Sequence, residues 1–491
     1  MPLLKAKSAT QSVRVEKVVV KKAVKKVTAP TPRSSLAPNG SLRATSDASS
    51  SSPRLLSPNS RAVARTKSAS PYPSSSDERA GRKRTLTQRR QNTPRDSPHF
   101  GPDDSDDDDD EDPFAKKRKV ISTWRDPHRR LRHKKAFGDD IRSPNIIHGA
   151  DLASVKTGCP PAFGAPEDEV AVQLQYPSRC RAERYELVFK KDRIDAVKDI
   201  KQVVKHVAET YLTEEQAQPF IDHNSSFYRD LEKAANEKRC DVPAFKAALN
   251  SYNTSLLSLV EDGSVAKNLD NMHGIPPSLV DFILTQVYER TVSPNVDSLN
   301  KYQPGGDNVY GELNAPFVRE ILQVHGGLTS EKVFIDLGSG VGNVVLQAAL
   351  EIGCRSYGCE MVENSCNFAE AQEKEFNARC LLWGIGPGRV RLERGDFRTN
   401  KKILEVLKEA DCILVNNKAF TPALNAALVS MFLDLKPGCK VVSLVSFILG
   451  NEKNAINDIA NNIFEVVEDT YKEDWVSWSR APGRYFVSTR K

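Results

Sequence analysis

The residues with the clearest capacity for chemistry run Val333-Phe334-Ile335-Asp336-Leu337-Gly338-Ser339-Gly340-Val341-Gly342-Asn343. An apolar run carries a carboxylate near its end, and a glycine-rich turn then opens a helix. Glycine lets a backbone bend sharply and approach a ligand closely, and the helix N-terminus offers that ligand unpaired N–H groups. The spacing is G-x-G-x-G, with Asn343 where a dinucleotide fingerprint carries its third glycine. Asp336 would repel a pyrophosphate and attract a cation. The amino and sulfonium groups of S-adenosylmethionine are such cations, so the elbow reads as a seat for that nucleoside. The competing reading is a tight turn with no ligand.

Glu360 follows 24 positions after Asp336, at the end of the next apolar run. A carboxylate there can accept both hydroxyls of a ribose. Asp396-Phe397 follows the third run; Asp396 can accept from an adenine amino group while Phe397 lines the base. The fourth run ends in Val415-Asn416-Asn417-Lys418-Ala419-Phe420. Asn416 reads either as a polar group beside the methyl donor or as a helix cap, and Asn417 reads as structural. The histidine and cysteine spacing offers no metal site, and no two of the nine cysteines form a C-x-x-C pair.

Positioning these residues requires a particular order of elements. From 310 onward apolar strands alternate with amphipathic helices, which predicts an α/β fold with an open, mostly parallel sheet. The helix after the glycine turn is expected over 341–352. Another is expected over 452–462, and the last two strands, near 464–471 and 485–489, have no helix between them. They predict an antiparallel hairpin at one edge, the arrangement of a class I methyltransferase (Rossmann-like) sheet. Before it, residues 170–176 and 185–189 read as a hairpin. Stretches 195–212, 225–235, 242–261 and 277–290 read as amphipathic helices, making a small, mainly helical subdomain.

The first third has a different composition. Residues 1–150 hold 32 Lys and Arg against 17 Asp and Glu, a net of +15 in a chain of +7, which leaves the remainder at −8. Rich in Ser, Pro and basic residues, this stretch buries too little apolar surface to offset ordering. The expected organisation is a disordered basic arm over 1–158, a hairpin and helical subdomain over 159–300, and a catalytic domain over 301–491. Within the arm, Lys116-Lys117-Arg118-Lys119 is either a nuclear-localisation cluster or a chance basic run. The acidic run 103–112 either binds histones or masks that cluster. The patch Arg129-Arg130-Leu131-Arg132-His133-Lys134-Lys135, near Trp124, suits nucleic acid. No apolar run reaches the length of a membrane span, and no secretory signal opens the chain. The expectation is a nuclear protein without membrane attachment, monomeric for want of a coiled coil.

Taken together, Tyr310-Gly311-Glu312, the 336–343 loop, Glu360, Gly395-Asp396-Phe397, Val415-Asn416-Asn417, Val476-Ser477-Trp478 and Tyr485 resemble the disruptor-of-telomeric-silencing family of histone methyltransferases. These act on the core of histone H3 without a SET domain. The resemblance covers roughly 165–491 and is of the fungal type. It implies S-adenosylmethionine-dependent methylation of a lysine in the globular core of histone H3 on nucleosomes. Roles in telomeric silencing and checkpoint signalling come with it. Further partners implied are nucleosomal DNA, met by the basic arm, and ubiquitinated histone H2B as a candidate.

The resemblance also assigns roles. Tyr310, Gly311, Glu312 and Leu313 close over the cofactor. Phe334, Ile335, Asp336, Leu337, Gly338, Ser339, Gly340, Val341, Gly342 and Asn343 wrap its methionine and ribose. Glu360 holds the ribose, and Asp396 with Phe397 the adenine. Asn416, Phe420, Trp478 and Tyr485 line the lysine channel. The family carries an aromatic where this chain has Lys418, so that cation either points outward or alters activity. The alternatives are a catalytically impaired chromatin scaffold and a methyltransferase for nucleic acid or a non-histone protein. The Pro-Pro-aromatic motif of nucleic-acid amino methyltransferases is missing after Asn416.

Methyl transfer needs a neutral amine, and a free lysine pays roughly 4–5 kcal/mol for neutrality at pH 7. No histidine follows His325. The expected catalysis is therefore by positioning and desolvation, without a strong general base.

Overall fold

A computed structural model describes residues 125–138, 144–236, 238–299, 311–448 and 459–491. A hairpin of β1 Ala171–Leu174 and β2 Glu183–Glu186 precedes the strands β3 Val333–Leu337, β4 Arg355–Glu360, β5 Val390–Arg394, β6 Cys412–Val415, β7 Lys440–Ser443, β8 Phe464–Tyr471 and β9 Gly483–Arg490, which form a seven-stranded sheet in the order β5-β4-β3-β6-β7-β9-β8. β3 to β7 run parallel, whereas β9 pairs antiparallel with both β7 and β8. This is the class I methyltransferase arrangement read from the sequence. β3 and β6 are buried at every residue, as strands covered by helices on both faces must be.

The strand order turns back at β3. The chain steps outward through β4 and β5, then returns to place β6 on the other side. Loops leaving β3, β4, β5 and β6 at their carboxyl ends therefore converge beside that reversal, where open α/β sheets bind ligands. Register places Leu337 opposite Cys359 and Glu360 opposite Arg394, so Asp336, Glu360, Asp396 and Asn416 emerge at one edge.

The helix expected over 341–352 starts later and changes pitch. Gly342, at φ 94°, occupies its N-cap, so Asn343–Gln347 is the α-helix, and Ala348–Ile352 widens to a π-helical turn ended by Gly353 at φ 84°. The helical subdomain contains the four expected helices, Ala196–Tyr211, Phe227–Ala235, Val242–Glu261 and Pro277–Thr291, with Asp195, Ser226 and Asp241 capping the first three. It adds Glu214–Ile221 and Ser264–Asp270. Both are short, and the first contains Pro219, which hides helical periodicity.

A buried ionic cluster joins this subdomain to the sheet. Glu183 of β2 accepts from Arg379 Nη1 at 2.6 Å and Arg290 Nη2 at 3.1 Å, and Arg290 also reaches Asp199 at 2.9 Å. Arg379 lies on the helix Glu363–Leu382 and Arg290 on Pro277–Thr291. Burial alone would raise the Glu183 carboxyl, but the two guanidiniums hold it down at about 2.

One expectation needs correction. Residues 125–138 and 144–158, assigned to the disordered arm, are folded onto the rest. Asp126, Arg129, Leu131 and Ala136 are buried. Leu131 O accepts from Gly386 N at 2.7 Å, His133 N donates to Gly384 O at 2.8 Å, and Asp126 N reaches His273 O at 3.2 Å. The Arg129 guanidinium donates to the carbonyls of Leu350 and Glu351, groups left open where the π-helical turn ends. Averaged composition missed a strap in which a few anchors alternate with exposed cations. The remainder of the arm, including Lys116–Lys119, the acidic run and Trp124, lies outside the described residues, as do Tyr310 and most of the helix expected over 452–462.

Candidate active site

A cavity of about 300 Å³ opens at the carboxyl edge of the sheet, between the loops that follow β3, β4, β5 and β6. Its wall includes Gly311, Glu312 and Leu313; Asp336, Gly338, Ser339, Gly340, Val341 and Asn343; Glu360; Asp396 and Phe397; and Asn416 and Phe420. Sequence motifs spread over more than a hundred positions are thus brought to one pocket.

The glycine elbow is built as its residue types require. Gly338, Gly340 and Gly342 all have positive φ, a region costly for side chains with a Cβ. Gly338 N and Ser339 N donate to Cys359 O at 2.9 and 3.1 Å, anchoring the elbow to β4. A Cβ at Gly342 would come within 2.8 Å of Leu392, so Gly342 serves helix packing and does not form the pocket wall. Phe334, Ile335 and Leu337 likewise face the core. The motif as a whole, 334–343, is expected to wrap the ligand, but only Asp336 of β3 reaches the cavity: alternation turns Ile335 and Leu337 to the other face, and Phe334, on the same face as Asp336, sits further back from the strand's carboxyl end.

Asp336 is almost fully buried, and burial, together with the neighbouring Glu360, pushes its carboxyl up to about 8. The pocket thus holds an acid that would ionise readily only against a cation. Glu360 is held by three backbone donors: Gly340 N at 3.0 Å, and Met361 N and Val362 N at 2.8 Å each. Asp396 is clasped by Arg398, Nη2 to Oδ2 at 2.7 Å, which lowers its carboxyl. Phe397 and Phe420 lie nearly parallel with ring centroids 6.5 Å apart.

The opposite wall is a loop tied to a distant segment. Glu312 N donates to Ser477 Oγ at 2.9 Å, Ser477 N donates to Glu312 O at 2.9 Å, and Leu313 bridges Val476. Asn416 Nδ2 donates to Gly311 O at 3.1 Å, so Asn416 fastens this loop to the end of β6. Asn417 turns inward, exchanging bonds with Val445 and Asn425. Lys418 is exposed and takes no part in the wall.

Two residues expected in the channel, Trp478 and Tyr485, do not line this cavity. Trp478 packs its ring against Gly311 without lining the cavity. Tyr485 is buried under Phe317, ring centroids 5.0 Å apart, with its hydroxyl 2.5 Å from His325 Nε2 and 3.2 Å from Asp469 Oδ2. Alternation along β9 turns Tyr485 to the face carrying Phe317. Sequence reasoning misses Val344, Cys359, Met361, Val362, Arg398, Leu414 and Leu424 in the wall; each neighbours a recognised motif, and that adjacency is the signal that could have found them.

The profile of a family described as "Histone methylation protein DOT1" matches residues 288–490. A Gibberella zeae protein named "Histone-lysine N-methyltransferase, H3 lysine-79 specific" is 54% identical over 436 residues, covering 87% of this chain and 88% of that protein. A Chaetomium globosum protein of the same name is 54% identical over 380 residues, 77% of this chain and 73% of its own. An Emericella nidulans protein so named is 45% identical over 372 residues, 74% of each.

Proposed function

The chain belongs to the DOT1 family of histone methylation proteins, and from that premise we propose that it methylates lysine 79 of histone H3 within the nucleosome, in the nucleus. It is an S-adenosylmethionine-dependent protein lysine methyltransferase. The observation that carries the assignment of the site is Asp336, a buried carboxyl at the glycine elbow whose proton is held up to about 8. Such a group fits a ligand bringing its own positive charge.

S-adenosylmethionine, when bound, supplies an electrophilic methyl carbon on a sulfonium. Asp336 faces its cationic end, while Gly338, Ser339 and Gly340 let backbone approach it. Glu360, already oriented by three N–H groups, accepts from the ribose. Asp396 shares its carboxylate between Arg398 and the adenine amine, with Phe397 along the base. Gly311 to Leu313 close the near side, and Asn416 holds that loop in place. Phe420, Leu414 and Leu424 exclude water from the approach of the lysine, which lowers the cost of its neutral amine. Trp478 acts by packing on Gly311, and Tyr485 by supporting the segment that carries Trp478.

The basic arm meets nucleosomal DNA, the folded strap presenting Arg130, Lys134 and Lys135 outward; such binding weakens steeply with salt. Ubiquitinated histone H2B is a candidate partner, and the enzyme works as a monomer. Radiolabelled methyl transfer to nucleosomes, free histone H3 and DNA, with the modified residue located by mass spectrometry, tests the reading. Label on H3 lysine 79 of nucleosomes is expected; label confined to DNA or to another protein would overturn it.

A further inference from the structure

Behind the cavity wall, a chain of amides runs from the helix Glu363–Leu382 to the loop that closes the pocket. Gln372, 1% exposed, stands outside the cavity. Its Nε2 donates to Val341 O at 2.8 Å and to Asn343 Oδ1 at 2.9 Å. An amide has one accepting and one donating end. With Oδ1 engaged by Gln372, Asn343 must present Nδ2 on its other side, where it donates to Glu312 Oε1 at 2.8 Å.

We propose that Gln372 is a positioning residue for the cofactor. It fixes which way round the Asn343 amide faces, and thereby ties Glu312 and the 311–314 loop to the glycine elbow. The second contact, to Val341 O, holds Gln372 itself in the donating orientation. Buried polar groups tolerate mismatch poorly, so the polarity of the chain is fixed from one end. This rests on the pocket being the S-adenosylmethionine site.

Gln372→Glu tests it, because the replacement keeps the shape but puts acceptors where donors stood. Asn343 then turns its Nδ2 toward residue 372 and confronts Glu312 with Oδ1, acceptor against acceptor. Calorimetry on the full chain should show S-adenosylmethionine binding about 10-fold more weakly. In a Glu312→Gln background the same change should cost several-fold less, since the new side-chain amide can donate to the reversed Asn343 and only the mismatch with Val341 O remains. An equal cost in both backgrounds, or none in either, overturns the proposal, because a merely structural role for Gln372 would not depend on the polarity of residue 312. Should Gln372→Glu fail to fold, Gln372→Met removes the donor without inverting it; it should cost about 3-fold more in the native background than in the Glu312→Gln background. Asp336→Ala is the control: native affinity there would defeat the pocket assignment, whereas lost affinity there beside an inert Gln372→Glu would defeat only this inference.

Discussion

Gly311 lies against the face of Trp478 so closely that an added Cβ would stand 2.6 Å from Cε3 of the indole. The contact joins the near wall of the pocket to the segment that links β8 to β9. Gly311→Ala must displace either the ring or the loop. Overpacking of this kind costs about 1–3 kcal/mol, so S-adenosylmethionine affinity should fall roughly 10-fold, with a shift in tryptophan emission. Unchanged affinity and emission would mean that the loop does not depend on Trp478.

With Asp336 facing the cofactor as proposed, cofactor affinity should depend on pH. Binding of a cation favours the ionised carboxyl, which in the empty pocket forms only near pH 8. The nucleoside's own amino group titrates nearby, so the informative quantity is the affinity of the native protein relative to Asp336→Asn. That ratio should rise roughly 10-fold between pH 7 and pH 9, with proton release detectable by calorimetry in buffers of different ionisation enthalpy. Stability runs the other way. The folded carboxyl titrates above its ordinary 3.8, so empty protein loses stability as pH rises from about 4 to about 8 and loses no more beyond. Asp336→Asn should therefore raise the melting temperature of the cofactor-free protein at pH 9, and by progressively less toward pH 4.

Much of this site is legible in the sequence because its determinants are local. A strand, a carboxylate and positive-φ glycines sit within a dozen residues, and β alternation repeats the pattern at Glu360, Asp396 and Asn416. What stays hidden depends on which face of an element looks inward. Tyr485 lies in a recognisable motif, yet the pleat of β9 sends it to the Phe317 side. Gln372 belongs to no motif; a contact from the next helix, 29 positions beyond Asn343, gives it meaning. The strap was hidden for a third reason, since its anchors are outnumbered by cations that face solvent.

Lys418 tests the scaffold alternative. Its side chain is exposed and away from the cavity wall, so its charge is screened from the sulfonium by solvent. Lys418→Phe should change methyl transfer to nucleosomes by less than about 2-fold, surface substitutions away from a site being near neutral. A rise of 10-fold or more would show the lysine to be a brake on the reaction.

The cluster around Glu183 should dominate the union of the helical subdomain with the sheet. Removing one partner of a buried ion pair strands the other and costs about 3–5 kcal/mol. Glu183→Gln leaves Arg379 with Glu375 and Arg290 with Asp199, which places the loss near the lower figure. The carboxyl is held at about 2 against an ordinary 4.5, so its contribution is full above pH 4.5 and fades as pH falls toward 2. Denaturant unfolding of native and Glu183→Gln proteins should differ most at neutral pH and converge in acid; a constant difference would argue against an electrostatic origin.

The strap separates two roles that a single deletion of the arm would confuse. A chain beginning at residue 125 keeps Asp126, Arg129, Leu131 and Ala136 in their buried seats. Its melting temperature and cofactor affinity should match the full chain, while nucleosome affinity falls and its salt dependence flattens with the lost cations. A chain beginning at residue 139 also exposes the surface under Leu131 and strips the Leu350 and Glu351 carbonyls of the Arg129 guanidinium. Burying a leucine is worth about 1.5–3 kcal/mol, and each charge-assisted hydrogen bond about 1.5–3 kcal/mol. The melting temperature should therefore drop by at least about 5 °C. Arg129→Met in the full chain should reproduce part of that drop and leave the salt dependence of nucleosome binding unchanged. If the chain starting at 139 melts where the chain starting at 125 does, the strap is only a tether for the arm and holds nothing together.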